Sequence, residues 1–222
     1  MAFESAKRLY GKAIKAINTE GVVGLVKKTA VFISSRLFVY QRFNIYENDF
    51  NGPEYESLIP NPVLVILKTT SDLDEVLKQG FDLSYFDVDR VRLFLSEGSL
   101  GFCVFVEKEI AHMTWVALND ESKKLIDPVP YKVDYMKGEV CSGGSETNPK
   151  YARKRIYLYA YSKIFKYLRE NGKTRDLFSI SKSNVSSNAA LKKFGSKILF
   201  EGVYMRLINW VYWKEMRAGD AK

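Results

Sequence analysis

Three consecutive cations, Arg153, Lys154 and Arg155, stand at the head of the longest helical pattern in the chain, within the stretch ETNPKYARKRIYLYAY. A helix N-terminus carries unsatisfied N–H groups and the positive end of the macrodipole, so cations there cost roughly 0.3–1 kcal/mol each unless an anion joins them. The pattern points to an anionic partner: a coenzyme phosphate, a nucleic acid or a phospholipid headgroup, with a ligand-free surface cluster as the alternative. Just upstream, Glu139 and Glu146 are carboxylates on a strand-like run, a placement that is commonly a solvated face. His112, the chain's one histidine, lies in IAHMTW. It is able to titrate near neutrality, or to serve as a hydrogen-bonded strand residue.

The elements that must position these groups follow from periodicity and punctuation. VLVILKTT (63–70) is a β-branched strand, SDLDEVLKQGF a capped short helix, and DVDRVRLFLSEG (87–98) a second helix ending at Gly98. GFCVFVEKEIAHMTWVAL (101–118) reads as a hairpin. A polar loop with Pro128 and Pro130 leads to YMKGEVCSGGSET (135–147), an irregular strand whose Gly143-Gly144 pair suggests a bulge. The long helix is expected from about Tyr151 to Asn171, then a strand at 176–181, a short helix at 186–195 and one or two closing strands over 197–213. The order is β α α β β β α β α β, a mixed α/β (α+β) domain.

Composition narrows the setting. With 222 residues and 46% apolar content the chain can bury an ordinary core, which excludes disorder and fibrous repeats. Cys103 and Cys141 show no metal-ligand spacing and no disulfide framework, so no metal is expected and the cytoplasm is the simplest location. Residues 1–45 hold eight basic groups against two acidic ones, leaving only +2 of the chain's +8 for the rest. This arm carries helical patterns (FESAKRLYGKAIKAI and VVGLVKKTAVFISSRLFVY) whose apolar runs are too short to span a bilayer. It suits packing on its own domain, a twin chain in a homodimer, or the surface of a membrane as an amphipathic helix. Residues 46–62, rich in proline and acids, read as a linker to a second unit over 63–222. No RNA-binding motif is visible, so no specific nucleic acid is expected.

The element order and two motifs resemble the GCN5-related N-acetyltransferase (GNAT) family, over about residues 63–213. NVSSNAALKKFG matches the family's Asn-x-x-Ser/Ala helix at Asn184, Ser187, Leu191, Lys193 and Gly195, with Ser196 where a phenylalanine is usual. The opening stretch aligns with the family's pyrophosphate loop, with Ala152 for its arginine, Arg153 and Arg155 for its first two glycines and Tyr157 for the last. The resemblance implies a mostly antiparallel central sheet flanked by helices. It also implies acyl transfer from acetyl-CoA or another acyl-CoA to an amine, on a small acceptor such as an amino sugar. Coenzyme contacts would come from Ser145 and Thr147 on the irregular strand and from Asn184 and Ser187 on the short helix. Ala152, Arg153, Lys154, Arg155, Ile156 and Tyr157 would supply the phosphate loop. Catalytic candidates are Glu139, Glu146, His112 and Tyr157, the last because the family's proton-donating tyrosine position is Leu191 here. The altered loop leaves two other readings open, a non-catalytic binding module anchored by the basic arm and an acyltransferase that uses an acyl-carrier protein or an aminoacyl-tRNA.

Overall fold

A computed structural model describes residues 38–208 and 210–216. The helical patterns of residues 1–37, with the surface and dimer roles read into them, lie outside the described residues. In chain order the elements are β1 (Phe38–Asn48), β2 (Val63–Leu67), α1 (Thr70–Lys78), α2 (Val88–Ser96), β3 (Ser99–Val106), β4 (Glu109–Ala117), α3 (Asp120–Ile126), β5 (Glu139–Thr147), α4 (Ile156–Glu170), β6 (Arg175–Ser181), α5 (Val185–Lys193), β7 (Lys197–Leu207) and β8 (Trp210–Met216). Short 3-10 turns occupy Tyr135–Lys137 and Pro149–Tyr151.

The strands form one sheet in the order β2-β3-β4-β5-β6-β1-β7-β8. Pairing is antiparallel for β2·β3, β3·β4, β4·β5 and β1·β6, and parallel for β5·β6. Both faces of the central strands are covered, as strand alternation requires. Phe102 and Val116 pack with Ile164, Phe165 and Leu168 of α4, whereas Phe105 meets Phe81 on the opposite face and Trp115 meets Phe94 of α2 edge to face. This burial is why β3 and β4 read as continuous apolar runs.

Four of the five helices begin on a side-chain cap. Thr69 and Asn119 form capping boxes for α1 and α3, and Asp87 and Asn184 cap α2 and α5. The first residue of α4 is preceded by Arg155, which gives no side-chain cap.

Several expectations need correction. The helical pattern running to Tyr40 and the linker beginning at 46 give way to β1, whose residues Phe43 to Asn48 pair with β6. Tyr46 stacks on Phe178 with ring centroids 5.7 Å apart, and strand pairing on that surface outweighs local helical propensity. Beyond β1, residues 49–62 are not a loose tether. Phe50 is buried, Tyr55 donates from its hydroxyl to Lys193 O, and Leu58 N donates to Lys154 O. The supposed polar loop after Ala117 begins with α3, too short to show a period. The long helix starts at Ile156, five residues later than expected, so the three cations precede it.

The chain divides into two compact units, Arg42–Gly202 with Glu215–Lys222, and Met1–Gln41 with Val203–Lys214. In the second, Trp210 and Tyr212 stack with centroids 6.0 Å apart, and Leu207, Ile208, Trp210 and Val211 are exposed. Among the described residues, no helix is long and apolar enough to cross a membrane.

Candidate active site

β5 and β6 run parallel and pair at three positions only, Glu139↔Arg175, Val140↔Asp176 and Cys141↔Leu177. Past that point they separate, and a hollow of about 440 Å³ opens between Ser142–Ser145 on one side and Phe178–Ile180 on the other. Tyr157 and Tyr161 of α4 and Asn184, Ser187 and Ala190 of α5 complete its walls.

Two buried carboxylates replace the ladder bonds lost at the divergence. Asp176 Oδ1 accepts from Ser142 N at 2.8 Å and its Oδ2 from Ser142 Oγ at 2.6 Å. On the other strand, Asp127 Oδ2 accepts from Ser179 N at 3.1 Å and its Oδ1 from Ser179 Oγ at 3.0 Å. Backbone groups that an ordinary sheet would pair across the gap are thereby satisfied with the strands apart, which removes the drive to close. Burial pushes the Asp176 carboxyl up to about 7, against the bonds from Ser142 that favour its anion.

The β4 side carries a bulge. Met113 pairs with Glu146 and Trp115 with Gly143, so Gly144 and Ser145 oppose the single residue Thr114. Gly144 has φ +58°, and a Cβ there would lie 3.1 Å from Trp115 Cδ1. Glycine is needed on both counts. The bulge turns Ser145 to one hollow and opens a second beyond it, lined by Tyr85, Arg90, Phe94, Trp115 and Glu146 and sharing Gly144 and Ser145 with the first.

A polar chain, buried at His112, Thr114 and Tyr161, joins these parts. His112 Nδ1 lies 2.8 Å from Thr147 Oγ1 and its Nε2 2.7 Å from Thr114 Oγ1; Thr114 donates to Ser145 Oγ at 3.0 Å; Ser145 Oγ lies 2.8 Å from the Tyr161 hydroxyl. With Thr114 donating onward, a neutral imidazole donates from Nε2 and accepts from Thr147 at Nδ1. Burial lowers the His112 pKa to about 3, in keeping with the second of the two readings, a hydrogen-bonded strand histidine. It is a fixed link in the chain. Tyr161 ends that chain, and burial pushes its hydroxyl up to about 12. Tyr157, its ring 4.6 Å from that of Tyr161, is likewise held well above the usual phenol range by burial.

Of the carboxylates expected on β5, Glu146 lines the second hollow and accepts from the Tyr85 hydroxyl at 2.9 Å. Glu139 does not reach the site. It lies at the paired end of the strand, where it forms a salt bridge with Arg175 and accepts from Asp134 N. Cys141 is fully buried with a thiol raised by burial, and its Sγ lies 3.2 Å from the Tyr131 hydroxyl.

A third hollow adjoins the first through Thr147, Tyr157 and Ser186, and is lined by Ala152, Arg153, Arg155 and Ile156. Here the backbone carries the signal. Arg153 has φ +63° and Arg155 φ +60°, the left-handed region that disfavours side chains. These are the first two of the three positions aligned with loop glycines, and each holds a backbone conformation that glycine adopts without strain. Tyr151 anchors it by donating to Glu109 Oε2 at 2.8 Å, and Asn148 holds the turn through Lys150 N. Among the described residues, no carboxylate pairs with Arg153, Lys154 or Arg155, and α4 has no side-chain cap. Asn184 lines the first hollow while its Oδ1 caps α5 through Ser187 N at 3.1 Å. Sequence reasoning missed Asp176, Asp127 and Tyr161. Tyr161 stands one helical turn after Tyr157, which was the available signal.

Among the described residues, no cluster of His, Cys, Asp and Glu could hold a metal ion. No family model and no curated protein matches the sequence. Solved structures do. The glucosamine N-acetyltransferase region of a fungal multi-domain GH3 β-N-acetylglucosaminidase aligns at 9% identity with a TM-score of 0.50, covering 79% of this chain and 22% of that one. A GNAT-family acetyltransferase from Colwellia psychrerythraea aligns at 11% identity (TM-score 0.49; 86% and 62% covered), and a tandem GNAT protein from the clavulanic acid biosynthesis pathway at 12% (TM-score 0.48; 86% and 59% covered). The chain spans less than two thirds of the length of these structures. It has the fold of the GCN5-related N-acetyltransferases, a mixed and mostly antiparallel sheet flanked by helices.

Proposed function

We propose that the protein transfers an acetyl or other acyl group from coenzyme A to an amine. The observation that carries this reading is the divergence of β5 and β6 after Leu177, continuous with a hollow in which Arg153 and Arg155 hold left-handed backbone beside an uncapped helix. The pyrophosphate of the donor meets backbone N–H groups of 153–157 and the guanidinium groups of Arg153 and Arg155. Its pantetheine arm lies in the first hollow beside Asn184 and Ser187, with the thioester near the bulge.

The chemistry then needs one base and one acid. Glu146, on the acceptor side of the bulge, takes a proton from the acceptor ammonium. The amine nitrogen attacks the thioester carbon, its C–N bond forms, and the C–S bond breaks. The departing thiolate takes the proton of the Tyr161 hydroxyl, with Tyr157 beside it, the nitrogen's remaining excess proton restores the Tyr161 phenol as the amide forms, and Glu146 gives its proton to solvent. A phenol pushed up to about 12 stays protonated at neutral pH, as a donor must. Burial around the thioester strengthens each of these interactions.

Calorimetric titration of the full chain with acetyl-CoA tests the reading. Saturable binding at micromolar to low millimolar ligand is expected, weakened by Arg153→Glu and Arg155→Glu. Absence of binding at millimolar concentration overturns it.

A further inference from the structure

The second hollow has a chemistry of its own. Its volume is about 390 Å³, within the ~300–1,000 Å³ range of small-molecule sites. The floor is apolar and rigid. Val91, Phe94, Met113 and Trp115 are all nearly inaccessible, and Phe94 and Trp115 meet edge to face with centroids 5.0 Å apart. Two opposite charges stand on facing elements above it. Arg90, from α2, lies with its guanidinium carbon 5.0 Å from the Phe94 centroid, and among the described residues no carboxylate pairs with it. Glu146, from β5, is engaged by a phenol, the Tyr85 hydroxyl, and by no cation among the described residues. Arg92, two residues along the same helix, is already committed to Asp74 at 2.5 Å, so the unpaired state of Arg90 is particular to the residue that faces the hollow.

We infer that this hollow admits a zwitterionic amine with an apolar side chain, the chemistry of a hydrophobic α-amino acid. Arg90 receives the carboxylate through its planar fork, the Phe94–Trp115 floor receives the side chain, and Glu146 receives the ammonium. The hollow meets the donor side at Gly144 and Ser145, where the missing side chain of Gly144 leaves the amine a way to the thioester. An amino sugar lacks both the anion for Arg90 and the apolar surface for the floor. A site built to bind a charged group discriminates strongly against analogues without it, because its own charge is then left unpaired.

The inference rests on the acyl-transfer reading for the fate of the amine, but its binding content can be tested separately. In calorimetry with the full chain and no donor, L-phenylalanine is titrated beside phenethylamine, which lacks the carboxylate, 3-phenylpropionate, which lacks the amine, and glucosamine. Phenylalanine is expected to bind about tenfold or more tightly than any of the three, and Arg90→Gln, an exposed change that keeps the stem over Phe94, is expected to erase its advantage over phenethylamine. Equal binding of phenylalanine and phenethylamine, preferential binding of glucosamine, no binding of phenylalanine, or an advantage that survives in Arg90→Gln each overturns the assignment. A parallel titration with acetyl-CoA separates the two failures. Acetyl-CoA binding with no selectivity for phenylalanine removes this inference alone, whereas phenylalanine selectivity without acetyl-CoA binding removes the acyl-transfer reading and leaves the amino-acid site.

Discussion

Burial pushes the Asp176 carboxyl up to about 7, where an ordinary aspartate in the unfolded chain titrates near 3.8. Because the folded-state value is the higher, the native protein holds more protons than the unfolded chain between about pH 4 and pH 7, so this group's contribution to stability falls as pH rises through that window. Asp176→Asn removes the titration, and its amide can no longer accept both the Ser142 N–H and hydroxyl. The variant is expected to be about 1–3 kcal/mol less stable at pH 5, with the deficit shrinking toward pH 8. Urea denaturation of both proteins across that range reads the difference, and a pH-independent deficit would show that Asp176 is ionised throughout. Glu146 makes a different kind of prediction. Glu146→Gln keeps an acceptor for Tyr85 but loses the base, so the transfer rate should fall by about 10²–10⁴ with the acetyl-CoA dissociation constant unchanged. A separation of seven puts Glu139 and Glu146 on opposite faces of a regular strand, but the sequence does not say which end of β5 is paired. Glu139 lies within the three-residue pairing with β6, and Glu146 lies beyond it, past the bulge, at the second hollow.

At the scale of elements, the loop over residues 152–155 and the bulge are each held by backbone conformations that an ordinary residue resists. Left-handed Arg153 and Arg155 cost of order 1 kcal/mol each relative to glycine. Arg153→Gly and Arg155→Gly are therefore expected to leave the protein as stable or up to about 1 kcal/mol more so while weakening acetyl-CoA binding, a separation that melting curves and calorimetry together reveal. Gly144→Ala runs the other way. It strains φ and presses on Trp115 in the bulge between the two hollows, so it should lower both stability and transfer. Much of this was legible in the chain: helix stops, the hairpin, the Gly143-Gly144 bulge and the asparagine-capped α5 all have local chemical causes. What was not legible depends on partners distant in sequence. β1 is a strand because β6 offers it a ladder 138 residues away at Phe43↔Ser181, and the divergence of β5 and β6 is held by Asp127 from the short helix α3, whose DESKKLI has too few apolar residues to announce a helix.

For the whole molecule the question is where the attraction for an anionic donor originates, since most of the net +8 lies in residues 1–45 and only +2 in the remainder. A field spread over the molecule and a local cluster at the loop behave differently under screening. At 0.1 M salt the Debye length is about 10 Å and at 1 M about 3 Å, so distributed charges fade early while a guanidinium in contact with a phosphate is screened far less. A distributed field also acts mainly on the rate of encounter, and contact pairs on the rate of escape. The loop places two left-handed arginines and a lysine around an uncapped helix start, among the described residues no carboxylate pairs with them, and Glu109, which anchors Tyr151, is already engaged by Lys150. The local cluster should therefore supply most of the affinity. In stopped-flow measurements of acetyl-CoA binding from 0.05 to 0.5 M salt, Arg153→Gln with Arg155→Gln is expected to accelerate dissociation by about tenfold or more at every salt concentration while leaving the salt dependence of association nearly intact. Loss of the salt-dependent association in that variant, with dissociation unchanged, would place the arginines in steering instead of contact.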